Sequence, residues 1–360
     1  MDKLICGIQQ IGIGVSDVYK TWEWYKNFIG TDIRIFEDKT VAELMLPYTG
    51  GQPRERHAVL TVNLQGGGGL EIWQYRNRTP LAPTFDVQIG DLGIFSIKFK
   101  CRDINVAYNS FVSKGVEPLN KPQPNSAGIN HFFVRDPFNN IIEIFESKSW
   151  FKDERKPTGG VAGAIIGVSN IDNSLKVYKT LLGYDKILSD QTGKFNDLIG
   201  IPGGTGTFRR IVLTHSQPRK GAFSALFGET QIELLQSIDR TPNKIFKDRL
   251  WGDLGFIHLC FDIKHMSSLE KECNELGFPF TVNSNVKHNE KGSFDMGEAA
   301  GHFTYIEDPD GTLIEFVETH RIPLLKAFGI NLNLSKRDPE KSLPRLIINM
   351  MGLKKVRKFS

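Results

Sequence analysis

The chain has 360 residues, 40% hydrophobic and 24% charged, with a formal net charge of +4. That is enough for two ordinary domains, each with a full core, and the balance is that of a soluble globular protein. No apolar run approaches the roughly 20 residues that cross a membrane as a helix, and MDKLICGIQQ lacks the basic-then-apolar layout of a secretory signal. Cys6, Cys101, Cys260 and Cys273 form no CxxC pair, so reduced thiols and a cytoplasmic location are expected.

Taken in chain order, four segments follow one plan of strand, helix and three strands. The first opens with IQQIGIGVSD (8–17), continues in a predicted helix VYKTWEWYKNFIG (18–30) and ends in GLEIWQY (69–75). Ser16 or Asp17 suits the N-cap of that helix and Gly30 its close, while Trp22 and Trp24 fall on its core-facing side. The second runs from IFSIKFKCRD (94–103) through INVAYNSFVSKGV to IIEIFE (141–146). SKSWFKDERKPTGG (147–160) is polar, contains Gly and Pro, and reads as a linker. The third segment runs from VAGAIIGVSN (161–170) through IDNSLKVYKTLLGYD to TQIELLQS (230–237), and the fourth from GFIHLCFDIK (255–264) through MSSLEKECNELGF to LIEFVE (313–318).

The repeats keep register. Val15, Tyr25 and Gly30 recur as Val168, Tyr178 and Gly183, Gly115 recurs as Gly277, and Glu143 recurs as Glu315. An insertion at 281–302 has the length of a cavity lid or of a disordered surface loop, and both readings stay open. LQGGGGL (64–70) and GIPGGTGTF (200–208) do not end in GK[ST], so they predict flexible hairpin turns and not phosphate loops. Residues 321–360 hold ten Lys/Arg against Asp338 and Glu340, which makes this basic extension +8 on a body of about −4. Because its charges are interleaved with LPRLIINMMGL, a packed amphipathic helix is expected there, with no nucleic-acid or membrane partner.

The last strands pose the chemical question. YIEDPDGTLIEF (305–316) and FVRDPFNNIIEIF (133–145) each place a Glu seven residues after the Asp of a DP turn, inside an apolar run. Glu71, Glu143, Glu233 and Glu315 hold the same place in all four last strands. A strand alternates its faces, and an acid that faces inward must be paired, hydrogen-bonded, protonated or bound to metal.

This βαβββ unit, ending in DPxG-x3-E, resembles the vicinal oxygen chelate superfamily of glyoxalase I, methylmalonyl-CoA epimerase, extradiol dioxygenases and fosfomycin- and bleomycin-resistance proteins. The resemblance spans about residues 5–320. It implies an α+β fold of four modules paired into two incomplete barrels, here a first domain 5–148, a linker 149–160, a second domain 161–320 and the extension 321–360. It also implies metal ligands on the first and last strand of each module. The first-strand positions are Gln10, Ser96, Gly163 and His258.

On that reading the metal site of the second half is Glu233, His258 and Glu315, suited to Zn, Ni, Mn or Fe(II). The bland alternative is a core histidine bonded to Glu233 or Glu315. A second candidate site is Gln10, Glu71, Ser96 and Glu143. There Lys98 and Lys100 share a face with Ser96, so they either neutralise the carboxylates or hold an anionic ligand. Cys260 shares the face of His258 as a pocket residue. The resemblance implies a metal-dependent lyase or isomerase acting beside a carbonyl, with Glu315 or Glu233 as base and Tyr305 close by. One alternative is an Fe(II) extradiol-type ring-cleaving dioxygenase: Y-x2-D-P-x-G-x3-E matches, but His302 is too close to Tyr305 and Gly163 stands where a histidine is expected. The other is a non-catalytic small-molecule binder. Either a monomer or a homodimer accommodates four modules.

Overall fold

The computed structural model describes residues 2–284, 294–295, 300–325 and 330–357. The first module comprises β1 (Leu4–Gly14), α1 (Val18–Phe28), β2 (Ile33–Val41), β3 (Glu55–Val62) and β4 (Gly69–Tyr75). The second comprises β5 (Gly93–Cys101), α2 (Ile104–Ser113), β6 (Gln123–Pro124), β7 (Asn130–Arg135) and β8 (Ile141–Glu146). The third has β9 (Thr158–Gly167), α3 (Ile171–Leu175) running into a π-helical turn (Lys176–Leu181), β10 (Lys186–Gly193), β11 (Phe208–Thr214), α4 (Ser224–Phe227) and β12 (Gln231–Ser237). The fourth has β13 (Gly255–Lys264), α5 (Met266–Leu276), β14 (Val282–Asn283), β15 (Phe294–Asp295), β16 (Ala300–Glu307) and β17 (Leu313–Leu325), followed by β18 (Ile330–Asn333) and α6 (Arg345–Met350). The insertion expected at 281–302 lies largely outside the described residues.

Local chemistry explains the elements. Asp17 is the cap of α1, its carboxylate accepting from Lys20 N at 3.0 Å, and Gly30 leaves the helix with φ +76°. Trp22 and Trp24 are buried. Strands β1, β5, β9 and β13 are buried along nearly their whole length, which accounts for their continuous apolar runs.

Among the described residues the strands form two sheets. One runs β14-β16-β17-β13-β1-β4-β3-β2, with β15 beside β16 and β18 beside β17; the other runs β10-β11-β12-β9-β5-β8-β7-β6. Each curls into an incomplete barrel. Modules therefore share sheets as first with fourth and second with third. This corrects the expectation that consecutive modules, 5–148 and 161–320, each close a barrel. The joints are antiparallel pairings of first strands, β1 with β13 and β5 with β9.

Consecutive modules meet instead through their helices. Trp24 and Phe28 of α1 pack on Phe111 of α2. The Tyr25 hydroxyl donates to Asp136 Oδ2 at 2.8 Å, and in the other half Tyr178 donates to Asp308 Oδ2 at 2.9 Å. Each aspartate also ties its own DP turn, accepting from the backbone of Phe138 and Asn140 or of Asp310 and Thr312. One core cluster draws buried residues from all four modules.

Two expected flexible segments are held in place. Gly67 and Gly68 lie at a backbone seam with the third module, where Gly68 N donates to Val161 O at 2.7 Å and Gly160 N to Gly66 O at 2.8 Å. A Cβ on Gly67 would sit 2.6 Å from Gly160 C, so the glycines permit close backbone approach. The linker is strapped to Gln65, whose amide donates to Lys156 O and Thr158 O and accepts from Glu154 N and Lys156 N. The basic extension crosses its own body. Leu343 N donates to Ala222 O and Val356 N to Asp32 O, both at 2.8 Å, and Lys355 pairs with Asp32 at 2.9 Å. No helix among the described residues is long and apolar enough to cross a membrane.

Tyr25→Phe and Tyr178→Phe each leave a buried carboxylate one donor short. Each is expected to cost about 1–3 kcal/mol, and the double variant their near sum, since the two share no partner; urea unfolding measures this. Lys100 supplies a pH test. Burial, then Arg102, pushes its ammonium down to about 7. Above the ordinary lysine range both folded and unfolded chains are neutral there. As the pH falls from about 10.5 towards 7 only the unfolded chain gains the proton, which costs stability, and below 7 the cost is constant. Lys100→Met is therefore expected to stabilise the fold at pH 7 and much less above pH 10.5, in paired unfolding curves.

Candidate active site

The antiparallel register of β1 on β13 sets Gln10 beside Cys260 and Gly12 beside His258. Parallel β4 brings Glu71 next to Gly12, and parallel β17 brings Glu315 next to Cys260. One ligand atom each from Glu71, His258 and Glu315 lies within 4.8 Å of the others, and all three residues are buried. His258 Nε2 is 3.1 Å from Glu315 Oε2 and 3.4 Å from Glu71 Oε2. Gln10 donates Nε2 to Glu71 Oε2 at 3.1 Å.

Gln10 Oε1, Glu315 Oε2 and both ring nitrogens of His258 have no hydrogen-bond partner among the described residues. Buried donors and acceptors are rarely left so. An amide oxygen, two carboxylates and an imidazole nitrogen that converge in this way are the donor types that a divalent cation takes.

Electrostatics points the same way. Burial alone would lower the His258 imidazole, but Glu315 and Glu71 overcome it and push the group up to about 9. Burial would raise the Glu71 carboxyl, but His258, Arg56 and Gln10 hold it below its ordinary value. The site favours positive charge. Arg56 lies 3.9 Å from Glu71 and is bound to Asp38 at 2.9 Å. The ring of Trp251 stacks on His258 with centroids 6.2 Å apart, and Tyr305 meets it edge-on at 5.5 Å. Gly12 makes the room: a Cβ there would fall 2.7 Å from His258 Nδ1 and closer still to Cε1.

A cavity of about 610 Å³ opens over Gln10, Glu71, Glu315 and Tyr305. Its remaining wall is largely apolar, from Phe36 and Leu44 of the first module to Phe223 and Phe227 beside and within α4.

The equivalent positions in the other sheet have the opposite character. Ser96 stands in the place of His258, paired with Ile165 where the first site has Gly12, and Gly163 stands in the place of Gln10, paired with Lys98. Lys98 Nζ lies between Glu143 at 2.9 Å and Glu233 at 2.7 Å. Arg210 bridges Glu233 at 2.7 Å and Asp197 at 2.6 Å, and His131 closes the ring between Glu143 at 2.6 Å and Asp197 at 3.1 Å. Burial would raise the Glu233 carboxyl, yet Arg210 and Lys98 take it down to about 2. Burial would lower His131, yet Asp197 and Glu143 raise it. Three cations alternate with three anions, so the place of a metal is filled from within.

The expected grouping of site residues is thereby corrected. Glu233 is not beside His258 and Glu315; it belongs to the Lys98 ring. Gln10 and Glu71 are not beside Ser96 and Glu143; they complete the His258 cluster. The reason is the sheet order, which joins first to fourth module. Lys98 and Lys100 are not free for an anionic ligand: Lys98 is paired twice, and Lys100 donates to Ser149 O at 2.8 Å. The Cys260 thiol is buried, pushed well above its ordinary value, and donates to Gln9 Oε1 at 3.7 Å. Gly12, Asp38, Arg56, Trp251 and the ring members His131, Asp197 and Arg210 escaped sequence reasoning. None of them left a signal in the sequence: even Gly12 is one of three glycines in β1, with Gly7 and Gly14.

Residues 7–144 match the Glyoxalase/Bleomycin resistance protein/Dioxygenase superfamily. Two solved structures share the fold. A "putative dioxygenase" from Bacillus subtilis subsp. subtilis str. 168 superposes with TM-score 0.56 at 11% identity, over 88% of this chain and 86% of that one. Glyoxalase I from Zea mays superposes with TM-score 0.51 at 13% identity, over 88% of this chain and 92% of that one. No curated protein sequence matches the chain. The superfamily match thus covers residues 7–144, the first two of the four modules, and the later two repeat the same order of strands and helix.

Proposed function

We propose that the protein is a metal-dependent lyase or isomerase acting beside a carbonyl group, with Gln10, Glu71, His258 and Glu315 as metal ligands and Glu315 as the base. The observation that carries this reading is the convergence of buried Glu71, His258 and Glu315, with Gln10 bonded to Glu71, beneath a cavity of about 610 Å³. A divalent cation bound there supplies Lewis-acid stabilisation of negative charge on a substrate oxygen. Zn, Ni, Mn and Fe(II) all accept such a donor set.

The chain's own residues do the rest. Glu315 faces the cavity, and its carboxylate takes a proton from the carbon beside the carbonyl and returns it. Gln10 uses its amide nitrogen on Glu71, which aims its oxygen away from that contact. His258, and after it Arg56 anchored by Asp38, hold the Glu71 carboxyl below its ordinary value. Trp251 and Tyr305 fix the plane of the imidazole. A single histidine counts against the ring-cleaving reading, because non-haem Fe(II) oxygenases use two imidazoles and one carboxylate. The four unpaired cysteines support a cytoplasmic setting.

Protein purified without a histidine tag or chelator is expected to carry about one equivalent of divalent metal by elemental mass spectrometry. His258→Ala is expected to carry none, and in the loaded protein Glu315→Gln lowers turnover of α-hydroxycarbonyl compounds by about 10²–10⁴-fold. Full occupancy of His258→Ala, or no metal in the parent after Ni, Mn, Zn or Fe(II) is added, defeats the proposal and leaves a binding protein. Gly12→Ala tests the geometry without removing a ligand. By displacing the imidazole it should weaken metal affinity about 10–100-fold, read by competition with a chromophoric chelator.

A further inference from the structure

The walls of the cavity restrict what enters it. Of the described residues that line it, the charged ones are Asp38, Glu43, Glu71, Glu315 and Arg56. Arg56 is the one base among them, and it is committed to Asp38 at 2.9 Å with Glu71 at 3.9 Å. Among the described residues no lining lysine or second arginine is available to receive a phosphate, sulfonate or carboxylate. The carboxylates of Asp38, Glu71 and Glu315 around one paired guanidinium disfavour such a group, and taking an uncompensated anion out of water is costly.

The apolar surface has an uncommon origin. Phe223, Leu226 and Phe227 come from the third module, whose strands build the other sheet, and Ile322 and Met351 come from β17 and the segment after α6. The basic extension is thus anchored so that an apolar side chain, not a charged one, reaches the cavity. Leu343 and Ile348 are buried in the cluster that also holds Leu226. A cavity of about 610 Å³ with this wall accommodates one small organic molecule.

We infer that the cavity takes a neutral, predominantly apolar small molecule, not an anionic conjugate. The neutral, apolar character rests on the cavity wall alone. The extension and α4 set the specificity by supplying the apolar wall.

The test compares two probes of one skeleton, neutral N-phenyl-naphthylamine and its sulfonated analogue anilinonaphthalenesulfonate, on the full metal-free chain by fluorescence titration. The neutral probe should bind one per chain and at least about tenfold more tightly than the anionic one. Met351→Asp and Val41→Asp, at partly exposed lining positions, should each weaken it by about tenfold or more. Equal or tighter binding of the sulfonate overturns the inference, as does unchanged affinity for the neutral probe in both folded variants. The probe comparison on the parent chain stands even where a variant fails to fold. Neutral-selective binding in a chain that takes up no metal upholds the cavity inference while the catalytic reading fails. Metal uptake with sulfonate-selective binding gives the reverse.

Discussion

The antiparallel pairing of β1 with β13 is the constraint on which the site depends. It puts Gln10 and His258 on one interior face and turns the side of Gly12 that lacks a Cβ towards the imidazole. The parallel partners β4 and β17 then deliver Glu71 and Glu315 from either side. A slip of one residue would turn each side chain to the opposite face. The register is held in turn by buried apolar residues on the reverse face of the same strands, Ile11, Ile13 and Leu259 among them.

The two sheets solve one electrostatic problem in two ways. Each buries a pair of strand glutamates, and buried carboxylates require compensation. In the sheet of the second and third modules the chain supplies it through Lys98, Arg210 and His131, which alternate with the acids in a closed ring. In the sheet of the first and fourth modules the compensation among the described residues comes from His258, driven up to about 9 by its acidic neighbours, and from Arg56 at 3.9 Å. Two substitutions of shape separate the outcomes. Where one sheet has His258 against Gly12, the other has Ser96 against Ile165.

Segments outside the repeat complete the working cavity. The α4 turn, β17 beyond its pairing with β13, and the C-terminal extension contribute apolar wall over a charged floor. Their anchoring contacts are backbone hydrogen bonds to Ala222 and Asp32. The extension's positive charge is spent partly on its own body, through Lys355 on Asp32.

Much of this was legible in the residues before any fold was known. Caps such as Asp17, the DP turns at Asp136 and Asp308, four strands with an inward Glu, and the recurrence of Tyr25 as Tyr178 are local or repeating patterns, and they specify the α+β modules and their order. Which module shares a sheet with which was not legible. All four first strands are apolar and edge-compatible, and the choice of partner is made by non-local packing of helices and sheet faces. Because that choice decides whether Glu71 or Glu233 stands beside His258, the sequence by itself determined the ligand types and their strands, while only the tertiary structure decided the set. The physical reason is reach: capping, turn and alternation act over a few residues, whereas a metal-binding constellation is assembled across a separation of hundreds.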